Sequence, residues 1–277
     1  MPTDTTDAGD SAASPGSGKI DPSAFPGVDL EQEDHMGQND TNHGANEAST
    51  TGDQTGRPAA RAEPIDPAAV LWSASVADRA GRPLLLILHG YGSHEGDLFS
   101  LAPHLPLHPV IAALRAPLPA GPGWAWFPIG AAGAKVNPGS PSADALDAAA
   151  AGVLEWLDGL PEQPSSIGLL GFSQGGAMAL QVLRQAPDRF AFAVQLSGFV
   201  GRSEHPGDQR LAERRLPVFW GRGTADPVIP QDAIDRTQSW LPEHSTLTER
   251  IYEGMGHSIS QAELGEIVTF LRTQYDS

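Results

Sequence analysis

From Pro67 onward, short apolar runs alternate with longer segments in which apolar residues recur at helical spacing. Strands are predicted at 69–77, 83–90, 109–117, 166–172, 190–198, 216–223 and 246–254, and helices at 95–105, 142–160, 174–186, 230–241 and 262–274. The run PLLLILHG is apolar almost without interruption, which is typical of a strand covered on both faces. This alternation predicts an α/β fold with a mostly parallel central sheet and helices on both faces.

The first 66 residues have a different pattern, with scattered apolar residues and no periodicity. They hold 13 acidic and three basic residues, so that −10 of the total charge of −17 lies in this segment. Such a segment buries too little apolar surface to offset the entropy of ordering it. We therefore expect a disordered acidic tail at residues 1–66 and one folded domain at residues 67–277.

Composition narrows the classes of function. The acidic charge argues against binding to nucleic acid or to anionic membranes. The chain has neither an apolar run of 18 residues nor a basic, apolar leader in its first thirty residues, so we expect no membrane span and a cytoplasmic location. It also has no cysteine, which excludes disulfides, thiolate metal sites and a cysteine nucleophile.

The segment GFSQG, residues 171–175, matches the pattern G-x-S-x-G. It lies where an apolar strand ends and a helix begins, the position at which a sharp turn exposes a nucleophilic serine. The N–H groups at the start of that helix would face whatever Ser173 attacks. The motif alone leaves open that Ser173 is only a turn or capping residue.

A serine nucleophile needs a histidine base and a carboxylate, which in this architecture follow in the order Ser, acid, His. His257 lies between a predicted strand and the last helix, whereas His205 and His244 lie in polar segments and are expected at the surface. Asp226 directly follows the strand at 216–223 and is the expected acid. Glu204 and Asp208, in a loop with no strand before them, remain weak substitutes. Asp232 and Asp235 fall on the following helix and are better explained as part of its exposed face, or, for Asp232, as a first-turn carboxylate.

The strand at 83–90 leads into a compact turn, HGYG, which can direct a backbone N–H toward the same point as the start of the helix. We expect the oxyanion to be bound by the N–H groups of Tyr91 and Gln174. His89 is expected to stabilise this turn from beneath, and His94 to be either solvated or a minor contact of the pocket.

The connection at 118–141 is rich in proline and glycine and longer than most loops. Four apolar side chains in it form either the wall of an acyl pocket or a cover for the sheet: Trp124, Trp126, Phe127 and Ile129. An apolar pocket would favour uncharged esters with short or medium acyl chains.

Six segments together resemble the phospholipase/carboxylesterase family of α/β-hydrolases, which includes acyl-protein thioesterases and bacterial carboxylesterases: LHGYGSHEGDL, LRAPLPAGPGWAWFPI, GFSQGGAMAL, LSGF, GRGTADPVIP and GMGHSIS. The resemblance covers residues 83–272. It implies a Ser173–Asp226–His257 triad, oxyanion donors at Tyr91 and Gln174, and hydrolysis of a small ester without metal or organic cofactor.

Two matters stay open in the sequence. The chain is either this serine hydrolase or a non-catalytic scaffold of the same fold that binds a small molecule or a partner. Ester and thioester substrates, and a monomer and a homodimer, are equally compatible with the pattern.

Overall fold

The computed structural model describes residues 64–129 and 141–275. Within these ranges there are nine strands: Leu71–Trp72 (β1), Leu84–Leu88 (β2), Val110–Leu114 (β3), Leu118–Ala120 (β4), Gly123–Ala125 (β5), Ile167–Phe172 (β6), Phe192–Leu196 (β7), Leu216–Gly223 (β8) and Ser245–Tyr252 (β9). The α-helices described there are Glu95–Phe99 (α1), Ala143–Asp158 (α2), Gln174–Gln185 (α3), Gly207–Arg214 (α4), Gln231–His244 (α5) and Gln261–Tyr275 (α6).

Seven strands form one sheet in the order β1-β3-β2-β6-β7-β8-β9. All neighbours pair in parallel except β1, which runs antiparallel to β3 at the edge. The remaining two strands, β4 and β5, form a separate antiparallel hairpin. The mostly parallel α/β sheet is therefore confirmed, and its carboxyl ends lie along a single edge.

The core has two layers, one on each face of the sheet. Side chains of α2, α3, α4 and α5 pack against one face, and those of α1 and α6 against the other. Every residue of β2, β3 and β7 is buried, and for β2 the uninterrupted apolar run predicted this. The sheet is thus covered on both sides, and access to its interior is left to the strand ends.

The structure differs from the predicted elements in several places, and the helix expected at 95–105 is α1, which ends at Phe99. The strand expected at 69–77 is limited to the two residues of β1. The Ser73 hydroxyl accepts a hydrogen bond from the Ile111 N–H in place of strand pairing, and short 3₁₀ turns lie on both sides of β1. The helix α4 was missed because Leu211 is its single buried side chain, so its sequence carries almost no apolar periodicity. The connection at 118–141 contains the β4–β5 hairpin, and its residues 130–140 lie outside the described residues.

The part that the structure describes begins with residues that the sequence analysis placed in the tail. Ile65 is 6% exposed and belongs to the larger core layer. The Asp66 carboxylate accepts the Ala68 N–H at 2.9 Å and caps a 3₁₀ turn. Ile65 and Asp66 thus belong to the folded domain. Of the rest of the predicted tail, Pro64 is described and exposed, and residues 1–63 lie outside the described residues.

Among the helices of the described ranges, none combines the length and the apolar content needed to cross a bilayer.

Because Ile65 is buried, we expect Ile65→Ala to lower the free energy of unfolding by about 2 kcal/mol. The matched control is Val76→Ala, a change at a side chain that is 73% exposed, which should alter stability by less than about 0.5 kcal/mol. Urea denaturation of the full chain measures both. Equal stability of the two variants would show that Ile65 contributes nothing to the core.

Candidate active site

Ser173 occupies a sharp turn between β6 and α3. Its backbone has φ 56° and ψ −117°, a conformation that costs about 1–3 kcal/mol for a residue with a side chain. The turn fits only because its neighbours lack side chains. A Cβ on Gly171 would lie 2.0 Å from the Gly175 carbonyl oxygen, and a Cβ on Gly175 would lie 1.9 Å from the Leu88 carbonyl oxygen. Glycines at both positions are therefore a steric requirement of the turn.

Ser173, His257 and Asp226 form a hydrogen-bonded chain. The His257 Nε2 lies 2.8 Å from the Ser173 Oγ, and the His257 Nδ1 lies 2.7 Å from the Asp226 Oδ2. An ionised carboxylate only accepts, so the proton of a neutral imidazole sits on Nδ1 and leaves Nε2 as an acceptor for the serine hydroxyl. The arrangement therefore gives the serine a base with its lone pair in place.

The Asp226 carboxylate is held in its ionised form. Burial alone would raise its pKa, but hydrogen bonds from His257 and from the N–H groups of Val228 (2.8 Å) and Ile229 (3.2 Å) outweigh burial. The pKa of Asp226 is therefore lower than that of an ordinary aspartate. The loop after β8 supplies these N–H groups because it turns directly behind Asp226.

The loops that carry Asp226 and His257 are joined by their backbones. The Ala225 N–H donates to the Met255 carbonyl at 3.0 Å, and the Thr224 N–H donates to the Tyr252 carbonyl at 3.0 Å. A Cβ on Gly223 would lie 1.9 Å from the Met255 carbonyl oxygen, so the His257 loop crosses directly over the end of β8. This contact sets the acid and the histidine at a fixed separation.

The turn after β2 packs against the serine. A Cβ on Gly90 would lie 3.5 Å from the Ser173 Cβ, so the backbone that leads into Tyr91 touches the Ser173 turn. The Tyr91 side chain is 48% exposed. Gln174 is the first residue of α3, where backbone N–H groups have no partner one turn earlier in the helix. Both predicted oxyanion donors thus belong to segments adjoining Ser173.

His89 lies beneath this turn, as predicted. It is 1% exposed, its Nε2 accepts the Ala116 N–H at 3.1 Å, and its Nδ1 donates to the Gly90 carbonyl at 2.7 Å. Burial lowers the pKa of His89, which favours the neutral ring that these two bonds require. His94 is exposed and caps α1 by accepting the Gly96 N–H at 3.1 Å.

The predicted pocket residues separate into two groups. Trp126 and Phe127 are each 1% exposed and belong to the core layer that contains α3. Trp124 and Ile129 are partly exposed. The side chain of Gln174 holds this segment, since its Oε1 accepts the Trp126 N–H and its Nε2 donates to the Phe127 carbonyl, both at 2.8 Å. The sequence analysis missed this role of Gln174, because an amide side chain after the serine reveals no partner by its spacing.

The acids other than Asp226 and the histidines other than His257 that the sequence offered lie apart from Ser173. Asp208 binds Arg184 through both carboxylate oxygens. His205 and His244 are partly buried rather than solvated: His205 accepts the Gly207 N–H at 3.1 Å, and the His244 ring stacks on the Trp240 ring with 4.2 Å between centroids. Glu204 is exposed, Asp232 binds Arg202, and Asp235 accepts a bond from Gln231.

A cavity of about 390 Å³ lies away from Ser173. Its lining includes Ile65, Trp72, Arg79 and Trp156, and none of the residues named so far in this subsection. Among the described residues, there is also no group of three metal-ligating side chains that could hold a metal ion.

Residues 74–275 match the family described as phospholipase/carboxylesterase. The chain belongs to this family. Acyl-protein thioesterase 1 of Kluyveromyces lactis is 29% identical over 71% of this chain and 94% of its own length. Carboxylesterase SOBER1 of Arabidopsis thaliana is 31% identical over 39% of this chain and 49% of its own length, so the chain aligns with about half of that protein.

A solved relative shows the same architecture. The crystal structure of the Bacillus cereus carboxylesterase superposes with a TM-score of 0.62, covers 74% of this chain and 94% of its own, and is 19% identical in sequence. At that identity the likeness concerns the fold alone. This member of the phospholipase/carboxylesterase family therefore has an α/β-hydrolase fold, and it is a hydrolase.

The lowered pKa of Asp226 makes a prediction for stability. Below about pH 5 the unfolded chain takes up this proton before the native chain does, so the wild type loses stability as the pH falls through the native pKa. Asp226→Asn removes that titration. The difference in unfolding free energy, wild type minus variant, should therefore be larger at about pH 6 than at about pH 3. Urea denaturation of both proteins at both pH values measures this difference. A difference that is the same at pH 6 and pH 3 would contradict a lowered pKa of Asp226 in the native chain.

Proposed function

We propose that the chain hydrolyses carboxylic esters through an acyl-enzyme on Ser173, with His257 as general base and acid and Asp226 as the orienting carboxylate. The observation that carries the proposal is the Ser173–His257–Asp226 hydrogen-bonded chain at a strained strand-to-helix turn. Membership of a hydrolase family supports the reaction class.

In the first half-reaction, the Ser173 Oγ attacks the carbonyl carbon of the ester and its proton passes to the His257 Nε2. The carbonyl π electrons move to oxygen and form a tetrahedral oxyanion. When the oxyanion collapses, the bond to the leaving group breaks, and His257 gives its proton to the departing alcohol or thiol. Asp226 stabilises the imidazolium in between, because its ionised oxygen lies 2.7 Å from Nδ1.

In the second half-reaction, water replaces the leaving group. His257 takes a proton from water as the water oxygen attacks the acyl carbon, and it returns that proton to Ser173 when the acyl bond breaks. The products are a carboxylic acid and the free serine. Each proton that His257 accepts is therefore returned within the same half-reaction.

The oxyanion is bound by the N–H groups of Tyr91 and Gln174. Gly90 in contact with Ser173 and the position of Gln174 at the start of α3 support this assignment. Each preorganised donor of this kind is worth about 3 kcal/mol of the barrier. The donors act on the transition state because the negative charge is absent from the substrate.

The substrate class is an uncharged ester with a short or medium acyl chain, or the matching thioester. Trp124 and Ile129 contact the acyl group, since both are partly exposed on the segment that Gln174 holds beside Ser173. Trp126 and Phe127 support that segment from within the core. The names of two relatives, a carboxylesterase and an acyl-protein thioesterase, are compatible with either bond.

A non-catalytic scaffold is the rival. It predicts no hydrolysis above the rate in buffer, whereas the proposed hydrolase turns over p-nitrophenyl butyrate with the wild-type chain. The Ser173 turn favours the hydrolase, because a binding scaffold gains nothing from a strained serine backed by a histidine and an ionised carboxylate.

We expect Ser173→Ala to lower kcat for p-nitrophenyl butyrate by at least about 10⁴-fold, because the acyl acceptor is lost. The melting temperature should stay close to that of the wild type. Ser239→Ala is the control: this serine is exposed on α5 and its hydroxyl donates to the Asp235 carbonyl one turn earlier, so activity should be kept. Near wild-type turnover by Ser173→Ala would refute the nucleophile.

The catalytic domain needs none of the acidic tail. A chain that begins at Pro64 should keep the kcat and the melting temperature of the full chain. A chain that begins at Pro67 lacks the buried Ile65 and should have a lower melting temperature. Hydrolysis of p-nitrophenyl butyrate and thermal unfolding measure both. A large loss of activity on removal of residues 1–63 would make the tail part of the enzyme.

A further inference from the structure

Three buried side chains link the nucleophile turn to the turn that carries Tyr91. They are His89, Trp126 and Gln174, with exposures of 1%, 1% and 3%, and we call them the hairpin clamp. The Gln174 amide bonds the Trp126 N–H and the Phe127 carbonyl, both at 2.8 Å. The Trp126 indole N–H donates to the His89 carbonyl at 2.8 Å.

The clamp is continuous up to the residue before Tyr91. The His89 ring donates to the Gly90 carbonyl and lies 5.5 Å from the Trp126 ring. Beyond Tyr91, the Gly92 N–H donates to the Trp124 carbonyl at 2.9 Å. The segment 124–126 therefore holds the turn on both sides of Tyr91, and Gln174 in turn holds that segment.

The turn needs such support because its own backbone is permissive. Glycines precede and follow Tyr91, and Gly92 has a φ of +72°, a backbone angle that residues with a side chain rarely adopt. The Tyr91 side chain is half-exposed, so packing of that side chain fixes little of its backbone. The direction of the Tyr91 N–H is thus set by the hydrogen bonds around it. One comes from the His89 ring to the Gly90 carbonyl, and the other joins the Gly92 N–H to the segment that Gln174 holds.

We propose that the side chains of Gln174 and Trp126 are positioning residues that aim the Tyr91 N–H at the oxyanion. Gln174 then serves twice, since its backbone supplies one donor and its amide side chain places the other. This inference rests on the proposed function. Because an oxyanion donor acts on the transition state, a displaced donor lowers kcat and leaves substrate binding nearly unchanged.

The test is Trp126→Phe in the full chain, which keeps an aromatic ring in the core and removes the indole N–H. Active sites are first counted from the p-nitrophenol released stoichiometrically by a p-nitrophenyl phosphonate. We expect kcat per active site for p-nitrophenyl butyrate to fall about tenfold while KM changes less than about twofold. The Ki of a trifluoromethyl ketone, which forms an oxyanion on Ser173, should rise by the same factor.

The control is Ser245→Ala, a buried serine at the opposite end of the sheet that loses one bond to the Leu241 carbonyl. It should lower stability with kcat per active site and Ki unchanged. If Trp126→Phe does not fold, Gln174→Met is the variant that tests the inference. It keeps the length of the side chain and removes both hydrogen bonds that the Gln174 amide makes. Its kcat should fall at least tenfold at unchanged KM.

A variant of either residue that is folded and has wild-type kcat and Ki overturns the inference and leaves the proposed function intact. A variant whose KM rises while its kcat stays unchanged overturns the inference as well. That pattern indicates that binding of the ground-state substrate was lost, and not stabilisation of the transition state. A wild-type chain that releases no stoichiometric p-nitrophenol from the phosphonate refutes the proposed function itself.

Discussion

The strand-to-helix turn at Ser173 is a close approach of three backbone segments, and the rest of the site is arranged around it. Gly171 and Gly175 allow β6 and α3 to fold back on each other and on the end of β2 with no room for a side chain. The cost is a strained Ser173 backbone. The parallel sheet holds this backbone in place, because the Ser173 N–H donates a hydrogen bond to the Leu196 carbonyl of β7 at 2.8 Å.

Loops from three other strands meet at this turn, and each is fastened to a neighbour. The loop after β2 is held by the hairpin clamp, and the loops after β8 and β9 are joined by backbone bonds near Ala225 and Met255. A parallel sheet brings all these loops to one edge. The backbone bonds then set distances that the sheet alone would leave loose, as proximity catalysis requires.

The sequence predicted the parts of this design that depend on periodicity and chain order. The uninterrupted apolar run at 83–90 predicted a buried strand, and positions that follow strands predicted Ser173, Asp226 and His257, three side chains that lie within hydrogen-bond distance in the structure. Polar contacts between distant segments were not predictable, because spacing does not reveal the partner of Gln174 or the burial of Trp126. The helix α4 was missed for a related reason: the Asp208–Arg184 ion pair attaches it to α3, with Leu211 as its single buried side chain.

The central claim is that Ser173 is the residue that becomes acylated. Reaction of the native full chain with a fluorophosphonate, followed by peptide mass spectrometry, tests it most directly. The account predicts one adduct per chain on Ser173, formed far more slowly in His257→Ala because the base is gone. A preparation that hydrolyses the ester but carries its adduct on another residue, or leaves Ser173 unmodified, would contradict it.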